Sequence, residues 1–234
     1  MKKLFSFFVL MSLYVLSFGQ CGEKDKDVKT GWNLGLIPVV SYNSDLGFQY
    51  GALTNIYSFG DGKAYPKYYH SIYAEVSRYT KGSGIYRLFY DSEFLIPKIR
   101  LTADISYLPD QALDFFGFNG YDAVYNKIWE DISLSEYKSR LYYNHQRNVF
   151  RAKADFQGKT GVANLNWAAG YDFLNIQVGS VPVEKLNKGS DSTNMLPLNT
   201  SLYDDYVKWG VIRPEEESGG QLHNMVVSQK VCMF

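Results

Sequence analysis

His70 beside Ser71, and Asn144 beside His145, are the residue types from which a barrel hydrolase assembles a nucleophile, a base and an orienting amide. Consecutive residues of a strand point to opposite faces, so neither pair converges on one substrate if it lies in a strand. The third histidine, His223, stands in a polar stretch. Asp110, Asp114 and Asp122 offer carboxylates to an external calcium ion but lack the spacing of a metal loop. The sequence therefore points to no catalytic residue, no metal and no cofactor. Charges of both signs are the more orderly chemistry. Glu75, Arg87, Asp91, Arg100, Asp104, Arg151, Lys153 and Asp155 fall on one parity of their segments, which suits a ladder of cross-strand ion pairs or the lining of a pore.

The segments that carry them alternate with period two. Ile99, Leu101, Ala103, Ile105 and Tyr107 oppose Arg100, Thr102, Asp104 and Ser106, and Phe150, Ala152, Ala154 and Phe156 oppose Arg151, Lys153, Asp155 and Gln157. Each such strand makes one oily wall and one charged wall. Seven strands follow from the pattern, at about 31–42, 46–58, 69–79, 85–94, from Ile99 to Leu108, from near Asn148, and 162–178. Asn43-Ser44-Asp45 and Lys81-Gly82-Ser83-Gly84 are turns by residue type. The longest connections follow strands five and seven, and a chain entering from the periplasm places both outside, as outer-membrane barrels do.

Two architectures share this alternation. A transmembrane β-barrel turns the oily wall to lipid and the charged wall to the lumen, whereas a secreted lipocalin-like barrel turns the oily wall inward onto an apolar ligand. The N-terminus favours export: Lys2 and Lys3 precede the apolar run from Leu4 to Leu16, and Ser17 and Gly19 stand at the small-residue positions of a cleavage site. Residues 1–19 are expected to be a cleaved signal peptide and 20–30 a charged periplasmic leader. No run is long enough for a transmembrane helix. Cys21 follows Gln20, where lipoprotein processing favours a small residue, and with Cys232 it could form at most one bridge.

The composition fits the same class. With 24 basic and 24 acidic residues the net charge is zero, and without a basic stripe nucleic acid is not expected as a partner. Aromatic residues make up 17% of the chain and gather near strand ends at Trp32, Tyr42, Tyr68, Tyr79, Tyr107, Tyr171 and Phe173, as interfacial girdles do. The partners expected on this reading are outer-membrane lipids and other outer-membrane proteins.

The stretch from Gly31 (GWNLGLIPVVSYNSDLGFQYGALTNIYSFGDG), continued through LTADISYLPDQALDFFGFNGYDAVYN, resembles the opening half of the barrel in BamA/TamA-like (Omp85, bacterial surface antigen) outer-membrane proteins of Bacteroidetes type. Asp45-Leu46-Gly47-Phe48 is similar to that family's second-strand opening, and Asp114, Phe115, Phe116, Gly117, Phe118 and Asn119 to its aromatic-glycine loop motif. The resemblance implies an outer-membrane location and a role in outer-membrane protein assembly, secretion or surface display. The departures are substantial. The family barrel has about sixteen strands, no POTRA-like segment precedes strand one here, and neither the Val-Arg-Gly-Phe-type lumen motif nor the Asp-x-Arg-Asp hairpin is found. After residue 219 the text QLHNMVVSQKVCMF loses the alternation, with Met225 to Phe234 a weak eighth strand, as a truncated or frame-shifted product would show. The fold class expected is thus all-β: an antiparallel transmembrane β-barrel, incomplete at 31–219, with seven or eight strands of a larger barrel and an atypical tail at 220–234.

Overall fold

The computed structural model describes residues 28–118, 124–161, 165–212 and 223–231, the last as backbone alone. The expected signal peptide, most of the leader, Cys21, Asn119, Asp122 and Cys232 lie outside the described residues. The chain is all-β in its regular core: β1 (Trp32–Asn43), β2 (Gly47–Ser58), β3 (His70–Tyr79), β4 (Gly84–Ile96), β5 (Ile99–Asp114), β6 (Asn144–Lys159) and β7 (Asn166–Gly179). They form one antiparallel meander in chain order, and the backbone of β8 (His223–Val231) lies along β7, from Gly170 opposite Val231 to Val178 opposite His223. No ladder joins β1 to β8 among the described residues, so the sheet is open.

Local chemistry sets the turns. Asn43 Oδ1 accepts from the backbone N–H of Asp45 at 2.8 Å and of Leu46 at 2.9 Å, an Asx turn that reverses the chain between β1 and β2. Between β3 and β4 the turn needs Gly82 at φ +109°, a conformation that costs a side-chain-bearing residue dearly. Gly51 serves the sheet differently. A Cβ there would lie 2.2 Å from the Val76 carbonyl oxygen, so only glycine lets β2 and β3 approach this closely.

The strands are longer at one end than the alternation indicates. β5 continues past Leu108 to Asp114 and β6 begins at Asn144 rather than Asn148. A bulge between Asp110 and Leu113 breaks the pairing register. A bulge puts two residues opposite one, so the period-two signal disappears while the strand goes on.

The hydrophobic core lies beyond the sheet. Both long connections leave from the end that also carries the β1–β2 and β3–β4 turns, and their described residues, 115–118 with 124–143 and 180–212, pack on each other as a cap. One cluster joins Leu141, Val181, Val183, Leu186 and Leu196, with Leu46 and Ala112 against it. A second joins Tyr142, Tyr143, Leu202 and Tyr206, with Phe115 and Trp129 against it. Two short helices brace the cap, α1 (Val183–Asn187) and α2 (Leu202–Lys208). Ser201 and Asp204 cap α2 reciprocally, each side chain bonded to the other's backbone N–H. Arg140 ties the cap to the first turn, donating through Nε to Asp45 and through Nη1 to the Asn194 carbonyl at 2.9 Å. Tyr142 is 1% exposed; its phenol donates to Asp205 at 2.8 Å and accepts from Lys138 at 3.1 Å. Burial, and next the Asp205 carboxylate, push that phenol well above its ordinary range.

Two outcomes follow for the cap. Leu186→Ala should cost about 2–5 kcal/mol and open residues 180–212 to protease, whereas Leu34→Ala on the oily wall should leave the digestion pattern unchanged. In the second, the folded state raises the Tyr142 pKa, so the stability it contributes is complete below about pH 10, the unfolded value, and is lost as pH rises beyond it. Alkaline titration of phenolate absorbance should show the cap loosening before Tyr142 ionises, and the Tyr142→Phe chain should lose this late-ionising phenol.

Candidate functional site

Directly paired residues of an antiparallel ladder share a face, so the register sorts every side chain. One face carries Glu75 opposite Arg87, Asp91 opposite Thr102, Asp104 opposite Lys153, Ser106 opposite Arg151, Arg100 opposite Gln157 and Asp155 opposite Gly170. All eight charged residues expected to share a face therefore do so. They are joined rather than scattered. Arg87 grips Asp104 by Nε, at 3.2 Å from both carboxylate oxygens, and by Nη2. Arg100 holds Asp91 through two bonds, at 2.8 and 3.1 Å. Lys153 pairs with Asp155 at 2.7 Å, and Glu75 accepts from the Tyr73 phenol.

Three members of the network were not among the expected residues. Asp172 accepts from two nitrogens of Arg151, Nε at 3.0 Å and Nη2; its place on the polar parity of β7 was the available signal. Tyr68 donates its phenol to Asp91 from the loop before β3. Burial, and next that bond, push the phenol up to about 12. Tyr73 lies under Arg87, whose guanidinium carbon is 5.9 Å from the ring centroid, a cation–π contact invisible to a reading that counts charges alone.

The opposite face is apolar: Trp32, Leu34, Leu36 and Val40 of β1, Phe48 and Tyr50 of β2, Val76, Leu88, Leu101, Ile105, Phe150, Phe156 and Tyr171 further on. The two walls differ in exposure. Trp32, Leu34 and Tyr42 are 64%, 68% and 72% exposed, whereas Ser77 and Asp91 on the polar face are 0% and 2% exposed; Ile37 of the edge strand on the polar parity (57%) and Ser92 on the apolar parity (0%) run against that difference. The polar wall is the enclosed one. An apolar surface this continuous marks an interaction face, since soluble chains rarely expose patches beyond a few hundred Å². Aromatic contacts stud it, with His70 stacked between Trp32 (6.3 Å) and Tyr90 (6.1 Å), and Tyr86 on Tyr107 (6.1 Å).

The histidines sit apart from their candidate partners. His70 Nδ1 is 2.8 Å from the Tyr90 hydroxyl on the apolar wall, while Ser71 is buried on the polar one. Asn144 donates to the Ala112 carbonyl and to Asp114, both at 3.1 Å. Its neighbour His145 is buried against the rings of Phe115 and Tyr203. Asp110 accepts from Ser83 and from the Ala112 N–H, and no group of three or more metal-ligating side chains forms among the described residues.

The aromatic-glycine segment builds the cap. Asp114 closes β5, Phe115 packs edge-on against Tyr206 (5.7 Å), Phe116 stacks on Tyr143 (5.5 Å), Gly117 turns at φ +91°, and Phe118 contacts both Phe115 (5.4 Å) and Tyr206 (5.7 Å). Among the described residues no helix is long and apolar enough to cross a membrane. Comparison of the chain with family models, curated proteins and solved structures returns no match.

Asp91, its side chain 3% exposed, is the costliest link to break. Asp91→Ala leaves Tyr68 and Arg100 without their acceptor and should destabilise the folded chain by about 1–3 kcal/mol. Asp61→Ala, which removes a surface pair with Lys63, should leave the melting temperature within experimental error. Equal melting temperatures for the two variants would show that the polar wall is not held by this link.

Proposed function

We propose that this chain forms the wall of an outer-membrane β-barrel of BamA/TamA-like type, exported through a cleaved signal peptide, with a role in outer-membrane protein assembly, secretion or surface display. One observation carries the membrane part of this reading. The apolar face of the sheet is the exposed one, and the ion-paired face is enclosed. In lipid that arrangement satisfies both faces, the first against acyl chains and the second around a wet lumen. Strands β1 to β7, of 10–16 residues, meet the roughly 9–11 needed to span a bilayer when tilted, and the 16-residue β5 and β6 leave room for their ends to rise into the cap. The assembly role rests on the sequence resemblance alone. The soluble alternative, a lipocalin-like barrel around an apolar ligand, requires the apolar wall inside; the order of exposure is the reverse of that. Among the described residues no strand pairs with the outer edges of β1 and β8, and these edges call for a partner strand, because backbone groups left open in lipid cost several kcal/mol each.

Fractionation tests location. The chain should sediment with the outer membrane and resist alkaline carbonate, and recovery from the soluble periplasm would overturn the proposal. Orientation is tested by paired substitutions on β5. Leu101→Arg and Ala103→Arg put a guanidinium toward lipid at about 2–4 kcal/mol near the midplane and should abolish protease-protected assembly in vesicles. Thr102→Arg faces the polar wall and should assemble. Equal tolerance on both parities would refute the assignment of faces.

A further inference from the structure

Beneath the cap, at the upper end of the apolar wall, the greasy surface is interrupted by a pocket of about 320 Å³. Two cations line it, Arg78 from the end of β3 and Lys185 from α1, and no carboxylate does among the described residues. Arg78 forms no ion pair among the described residues. Lys185 reaches across Gly82, where a Cβ would stand 2.5 Å from its Nζ, and touches the amide oxygen of buried Gln111 through a long bond of 3.4 Å. The floor holds an unsatisfied acceptor: Asn148 Oδ1 is buried with no hydrogen-bond partner. The residue opposite Asn148 in the ladder is Pro109, which has no N–H to give. Tyr86 and Tyr107, stacked with centroids 6.1 Å apart, form one side.

These features ask for one kind of ligand. Two unneutralised cations want an anion, the orphaned amide oxygen wants a hydroxyl or N–H donor, and a tyrosine pair offers an apolar platform with polar tips. A phosphate attached to a sugar supplies all three. We propose that this pocket binds a phosphorylated saccharide, and that its source is the headgroup of a glycolipid in the surrounding leaflet. The source rests on the membrane reading above, because the pocket opens on the wall assigned to lipid, at the level where strands give way to the cap. Arg78 and Lys185 take the phosphate, Gln111 and Asn148 the sugar hydroxyls, and the tyrosines the ring face.

The test uses the full chain folded in detergent micelles, titrated with lipid A or with free glucosamine 1-phosphate and followed by tyrosine fluorescence. Lipid A is expected to bind, and Arg78→Ala/Lys185→Ala, which alters two exposed side chains, is expected to weaken it at least tenfold. Asn148→Ala should weaken it as well while leaving the melting temperature of the unliganded chain within a few degrees. Glucosamine 1-phosphate should bind more weakly, with the same dependence on Arg78 and Lys185. Undiminished lipid A affinity in the double variant would overturn the site, and binding of the free sugar phosphate alone would overturn the glycolipid source. A chain found in the soluble fraction that still binds glucosamine 1-phosphate through Arg78 would sink the membrane reading and leave the sugar-phosphate pocket standing.

Discussion

Everything in this molecule depends on one inversion: the sheet encloses its charges and exposes its hydrocarbon. A sheet in water buries its apolar face, and the stabilisation comes from removing that face from solvent. Here Asp91 and Ser77 are enclosed while Trp32, Leu34 and Tyr42 stand outside. The polar face can be enclosed because its members satisfy one another across the strands, Arg87 with Asp104, Arg100 with Asp91 and Arg151 with Asp172. With their arginine side chains still 42–44% exposed, such pairs contribute little singly, about 0–1 kcal/mol, so the network matters as a condition for enclosing the carboxylates rather than as a source of stability. The apolar wall has no such internal solution, and on the proposed reading lipid is its neighbour.

Two kinds of cohesion divide the chain between them. The meander is built from neighbouring strands with local pairing, β1 to β2 through β7 to β8, and hydrogen-bond ladders run its whole length. The cap is held by conventional burial in two small clusters around Leu186 and Tyr142. Arg140 bonded to Asp45 and Lys81 bonded to Ser190 fasten one to the other, so the short turns of β1–β2 and β3–β4 are part of the cap's foundation. The aromatic-glycine segment belongs to that foundation too. Phe115 and Phe118 fill the space between β6 and α2 rather than lining the polar wall.

The sugar-phosphate pocket sits on the seam between these two regions. Strands β3 to β6 supply its floor and platform, and α1 supplies a cation that reaches down from the cap. Such a seam is where a membrane wall would meet headgroups, and it is where the apolar face acquires Arg78, Gln111 and Asn148.

The sequence by itself determined the faces. Side chains alternate with period two whatever the strand packs against, so Glu75, Arg87, Asp91, Arg100, Asp104, Arg151, Lys153 and Asp155 could be placed on one wall before any pairing was known. Turn residues such as Asn43 and Gly82 declare themselves equally locally. Tertiary structure decided what alternation cannot encode. Which wall is enclosed depends on the curvature of the whole sheet. The extension of β5 to Asp114 and of β6 back to Asn144 was hidden by a bulge that breaks the period without ending the strand. The partnership of Tyr68 with Asp91, the clusters around Leu186 and Tyr142, and the meeting of Lys185 with Gln111 join residues far apart in the chain. Such contacts are set by register and by the packing of irregular loops, for which the residue sequence carries no periodic signal.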